Sequence, residues 1–89
     1  MADVIDITLH RATLDVVDRL LEERGLAFFL RREGSLPFAL DARRIRMAVE
    51  VASRKVGRQP VPAAREACYR AVRRKLIARL AQAMVGVGF

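Results

Sequence analysis

Apolar and polar positions change period several times along this chain, and each change marks an element. From Asp3 to His10 they alternate, with Ile5, Ile7 and Leu9 on one side and Asp6, Thr8 and His10 on the other. Period two is the pattern of a half-buried strand. Leu14, Val17 and Leu21 then share one helical face, with Val16 and Leu20 beside it. Thr13 stands where an N-cap belongs, Asp15 and Asp18 fall in early turns, and Arg24 precedes the terminator Gly25. The pattern predicts a helix over Thr13–Arg24.

Leu26–Leu30 (LAFFL) is an apolar run too short to assign by period. Arg31–Ser35 reads as a turn, and Leu36–Leu40 carries Pro37, which confines a second arm to an edge position. Two structures fit: a β-hairpin, or a helical turn followed by an extended loop. Three of the four Phe residues (Phe28, Phe29, Phe38) lie here. They are expected to fill the core rather than stack on bases.

Asp41 suits the N-cap of a second helix that ends at Gly57, with Ala42, Ile45, Ala48, Val49, Ala52 and Val56 along its apolar face. Met47 and Val51 form a small apolar patch on the far side and are candidates for a partner contact. Pro60 and Pro62 stiffen the connector. Pro62 then starts a helix running to Val85 without a Gly or another Pro, because a first-turn proline loses no intrahelical bond. Against a helix-turn-helix, the small–apolar–Gly run at this junction is off by one, and Arg58 falls where an apolar residue belongs. In the last helix an apolar residue recurs every four: Ala64, Cys68, Val72, Leu76, Leu80, Met84. Such a row drifts about 40° per step. The expectation is that Ala64, Ala67, Cys68, Ala71 and Val72 meet the chain's own core. Leu76, Ile77, Leu80, Ala81 and Met84 are then left for a second subunit, with Phe89 of the uncharged tail docking beside them. A steep crossing of neighbouring helices is the other way to use a drifting row.

Together these elements give one domain over residues 1–89, a mostly helical α+β fold. Its order is a short N-terminal strand, a helix and a possible hairpin (1–40), then two basic amphipathic helices (41–89). Eighty-nine residues support one modest core, so self-association, as a dimer or larger homo-oligomer, is expected to add stability. Charge sharpens the division. Seven acids outnumber five arginines in residues 1–40, whereas twelve basic residues face only Asp41, Glu50 and Glu66 in residues 41–89, for a net +7 overall. A polyanion is the natural partner of such a half, and nucleic acid is the commonest.

The chemistry-bearing residues are sparse. His10 has no second His or Cys to share a metal, and it is expected to be an exposed strand-end residue. The Asp15/Asp18 and Glu22/Glu23 pairs have no partner nucleophile or metal ligand and read as solvated faces. Cys68 sits on the apolar stripe as a buried structural thiol. With no phosphate loop, metal helix or nucleophile elbow, no enzyme, metal or cofactor is expected. No span of about eighteen apolar residues and no basic-then-apolar leader is present, so no membrane contact and a cytoplasmic setting are expected.

Two partial resemblances accompany this pattern. Ile7–Leu26 (ITLHRATLDVVDRLLEERGL) resembles the strand and first helix of ribbon-helix-helix DNA binders. Arg32–Leu40 (REGSLPFAL) resembles the segment closing that domain in RelB-type antitoxins. The start of that family's second helix has no counterpart between Leu26 and Phe28. LDVVDRLL and LDARRIRMAVE are similar to gas-vesicle shell proteins, which implies a helix–hairpin–helix order.

The expected function is nucleic-acid binding, most directly DNA binding, in a regulatory or accessory role. Arg43, Arg44, Arg46, Arg54, Lys55, Arg58, Arg70, Arg73, Arg74, Lys75 and Arg79 would contact phosphates, which set affinity and position rather than sequence choice. The alternative is an interaction or assembly subunit whose basic helix meets an acidic protein. Its interface would draw on Met47, Val51, Leu76, Ile77, Leu80, Met84 and Phe89.

Overall fold

The computed structural model describes residues 6–33, 36–57 and 59–85. Within them lie α1 (Ile7–Arg24), a 3-10 turn (Leu26–Phe29), β1 (Leu30–Glu33), β2 (Leu36–Leu40), α2 (Ala42–Val56) and α3 (Pro62–Val85). The result is a mostly helical α+β fold, as the pattern predicts.

The N-terminal strand is the clearest correction. Ile7–His10, expected to alternate along a strand, form the first turn of α1, and residues 3–5 lie outside the described residues. Asp6 is the true N-cap, its Oδ1 accepting from the Leu9 N–H at 3.0 Å. This starts the helix two turns earlier than Thr13 would. The buried set Leu9, Thr13, Val16, Val17 and Leu21 then runs unbroken on one face, while Ile7, the middle member of the alternation, is 64% exposed. Three alternating residues are outvoted by a helical stripe that Leu9 begins. Thr13, expected as a cap, sits mid-helix and buried, donating its hydroxyl to the Leu9 carbonyl at 2.7 Å, so a polar group in the core is satisfied. His10 is half-buried on this helix rather than exposed at a strand end.

Residues 26–40 hold the expected hairpin, but Leu26–Phe29 of its expected first arm form a 3-10 turn, and the first strand, Leu30–Glu33, lies largely in the segment expected to turn. Gly25, at φ 80°, ends α1 and leads into the 3-10 turn, and an antiparallel hairpin follows. Leu30 pairs with Leu40 and Arg31 with Ala39, with an irregularity between Arg31 and Glu33. The Asp41 N–H donates to the Phe29 carbonyl at 2.7 Å, which ties the hairpin's exit to its entry. Phe29 is fully buried and the largest such side chain; Phe28 meets it edge-on at 5.1 Å and is half-buried.

In α2, Asp41 caps through the N–H groups of Arg43 (3.1 Å) and Arg44 (3.3 Å), and Gly57 closes the helix in the left-handed conformation at φ 77°. Ile45, Ala48, Val49 and Ala52 are buried against Leu9, Val16, Val17 and Leu21 of α1 and against Phe29.

The drifting row of α3 serves the chain's own core further than expected. Ala64, Cys68, Val72 and Leu76 are all buried. Early in α3, Arg65 and Glu66 pair with Glu50 and Arg46 of α2; later, Lys75 pairs with Asp18 of α1 at 2.8 Å. The helix thus passes from one neighbour to the other, and the drift follows that passage. Among the described side chains burial ends at Leu76: Ile77 is 48% exposed, Leu80 half-buried and Ala81 exposed.

Candidate nucleic-acid interface

Arginines on α2 and α3 divide into those with partners inside the fold and those without. Arg44 Nη1 donates to the Phe28 carbonyl at 2.9 Å, its guanidinium lies 4.4 Å from the Phe28 ring centroid, and Nε stands 3.7 Å from Asp41. It clamps the start of α2 onto the 3-10 turn. Arg46 lies 4.3 Å over the Tyr69 ring and 3.6 Å from Glu66. Arg65 holds Glu50 at 3.3 Å and Gln59 at 3.1 Å. All three acids of residues 41–89 are therefore matched to arginines. Three acids scattered among twelve bases were the sequence signal for this, and the pairing roles of Arg65 and Tyr69 were missed because they depend on how α2 and α3 align.

Arg44, Arg46 and Lys75, expected as phosphate contacts, thus have structural partners, although Arg44 and Arg46 keep much of their surface exposed. Arg43, Arg54, Lys55, Arg70, Arg73, Arg74 and Arg79 are exposed and make no ion pair among the described residues. Arg58 and Phe89 lie outside the described residues, as does the side chain of Met84.

Only some of the free cations come together. At about 100° per residue, Arg70, Arg73 and Arg74 fall within an arc of about 100° on the outer face of α3. Ile77 lies on the same arc. Arg79 lies about 180° from Arg70 and about 120° from Arg73, so it belongs to a different side of the helix. The Arg46–Glu66 and Glu50–Arg65 pairs, with Arg46 over Tyr69, mark the seam between α2 and α3. Arg43 is exposed on α2 one turn before Arg46. Arg54 and Lys55 sit at the opposite end of α2. There Glu50, Ser53, Arg54, Gly57, Gln59 and Arg65 line an open cleft of about 360 Å³. Glu50 and Gln59 already hold the Arg65 guanidinium there, leaving its buried Nε without a partner.

Among the candidate partner contacts, Leu76 is 0% exposed in the chain's own core, so it is not free for a second subunit. Val51 packs partly against that core as well. Met47, at 40%, and Ile77 are the exposed members. Cys68 is buried beside Thr13, and desolvation pushes its thiol above the usual range, with Asp6 adding to the rise and the Thr13 hydrogen bond opposing it. Its burial on the core stripe fits a packing role.

The described residues gather no cluster of His, Cys, Asp and Glu suited to a metal ion, and none of their helices is long and apolar enough to cross a membrane. No family model matches the chain, and searches of curated proteins and of solved structures find no significant match. The ribbon-helix-helix resemblance also loses its ribbon, because Ile7–His10 are helical.

Proposed function

We propose that this protein binds nucleic acid, DNA in the first instance, in a regulatory or accessory role in the cytoplasm, and that it also self-associates as a homo-oligomer. The supporting observation is Arg70, Arg73 and Arg74 on one exposed arc without acidic partners among the described residues, while Arg44, Arg46 and Arg65 pair with acids of the fold. Arg43, exposed on α2, is the candidate for a fourth contact. Guanidinium groups suit phosphate because each offers a planar fork of donors.

Three or four phosphate contacts predict a log–log salt slope of about −2.7 to −3.6, a loss of roughly 40- to 150-fold in affinity between 50 and 200 mM salt. Titration of a short labelled duplex measures this. Arg70→Ala/Arg73→Ala/Arg74→Ala should remove most of the slope, and Arg79→Ala should leave most of it. Binding that ignores salt, or a triple variant that binds like the parent, refutes the assignment.

The second reading is an acidic protein partner. Ile77 favours it, because an exposed apolar side chain amid three arginines suits a protein surface better than a phosphate backbone. Under that reading Ile77→Asp weakens the complex more than Arg79→Ala does.

A further inference from the structure

The outer faces of α1 and α3 carry opposite charges over part of their length. On α1, Ile7, Arg11, Asp15, Asp18 and Glu22 are exposed and follow one another at steps of four, four, three and four, which keeps them on one stripe. The stripe is apolar at its start and acidic toward its end. On α3, Arg70, Arg74, Ile77 and Ala81 are exposed at steps of four, three and four, with Arg73 beside them. That stripe is basic first and apolar afterward. Ile7 and Ile77 are two of the exposed large hydrophobic residues of the fold.

We propose that α1 of one copy docks antiparallel on α3 of a second copy. With the helices reversed, the spacings coincide: Glu22 falls opposite Arg70 and Asp18 opposite Arg74. In the same register Asp15 falls opposite Ile77, one turn from Arg73 and Arg74, Arg11 falls opposite Ala81, and Ile7 falls beyond it, so the match is one of charge at the Glu22 end. Asp15 and Glu22 make no ion pair among the described residues, while Asp18 already holds Lys75 of its own chain. Each copy carries both faces, so a two-fold arrangement forms the contact twice and closes the pair. This rests on the homo-oligomer reading above and adds regulation to it: the docked α1 covers the arginines proposed for nucleic acid, so a second copy and a duplex compete for one surface.

The test is solution mass by light scattering at about 100 µM protein and 50 mM salt, where charged surfaces interact over about 14 Å. The parent chain should have the mass of a dimer and dissociate toward monomer at 1 M salt, where that range shrinks to about 3 Å. Asp15→Arg/Glu22→Arg and Arg70→Glu/Arg74→Glu should each be monomeric alone. Their equimolar mixture should regain dimer mass, because a basic α1 then meets an acidic α3 and the unaltered faces of the other contact still match. A parent chain that is monomeric overturns both the homo-oligomer and this interface. A dimer that persists in both variants, or a mixture that stays monomeric, overturns the interface alone. If a reversed variant does not fold by circular dichroism, the neutral pairs Asp15→Asn/Glu22→Gln and Arg70→Gln/Arg74→Gln replace it, and each must lower the dimer fraction. Failure of duplex binding leaves these masses unchanged, which separates the two proposals.

Discussion

The Arg46 guanidinium lies over Tyr69, 4.3 Å from its ring centroid, and reaches Glu66 at 3.6 Å, so one α2 side chain grips two consecutive turns of α3. Arg46 is more than half exposed, which holds the ion pair near the small values of surface pairs, while the stack adds about 0.5–1 kcal/mol. Arg46→Ala should therefore cost about 1 kcal/mol in urea unfolding, with Tyr69→Ala coupled to it in a double-mutant cycle. Arg46→Lys keeps the charge but loses the planar stack, so it should recover only part of the loss. Two variants whose effects simply add would show that the contact is idle.

Leu76 and Leu80 are one step apart in the same apolar row, yet the structure treats them differently. Leu76 is wholly inside the core and Leu80 lies at its edge. Leu76→Ala should destabilise by about 2–5 kcal/mol, the cost of a cavity in packed surroundings. Leu80→Ala should cost less than about 1 kcal/mol, because a half-buried side chain loses less area and water fills its place. Thermal and urea unfolding of the two variants measure the difference. Equal losses would mean that the core extends a turn further along α3.

Which parts of this fold were legible follows from which signals are local. Asp41, Gly57 and Pro62 punctuate the chain with caps, a left-handed stop and a first-turn proline, and the ends of α2 and α3 fall where those residues put them. The start of α1 was not legible from alternation, because Asp3–His10 carries two competing patterns and only burial against α2 decides between them. The basic patch was legible as a charge imbalance but not as a shape. Pairing of Arg44, Arg46 and Lys75 depends on Phe28, Glu66 and Asp18, which come near them only when three helices pack. For the same reason Leu76 could be placed on a stripe from sequence but not assigned to a neighbour.

The capping of α2 offers a compact test of local chemistry. Asp41 accepts from two backbone N–H groups and also faces Arg44, whose other contacts hold the 3-10 turn. Asp41→Ala should cost about 1–2 kcal/mol, the upper part of the range for an N-cap. Asp41→Asn keeps an accepting oxygen and should cost less than half as much, losing chiefly the charge near Arg44 and the helix dipole. Urea midpoints at unchanged slope report both values. If Asn were as damaging as Ala, the charge rather than the hydrogen bonds would be the stabilising element.

The buried thiol gives a pH dependence whose sign is fixed. Burial raises the Cys68 pKa above its ordinary value of 9.0, so the native chain keeps a proton that the unfolded chain releases. Stability from this group is fully present below pH 9.0. It falls as pH climbs from there toward the raised native value, by at most about 1.4 kcal/mol per pH unit. Melting temperatures of the parent and of Cys68→Ala should therefore run parallel from pH 6 to 8 and converge above pH 9, because the variant has no thiol to titrate. At pH 8 the native thiol should react with a disulfide reagent only as fast as the chain opens, and at once in urea. Rapid labelling of the folded protein, or a constant gap between the two melting curves through pH 10, would show that Cys68 is reached by water rather than sealed beside Thr13.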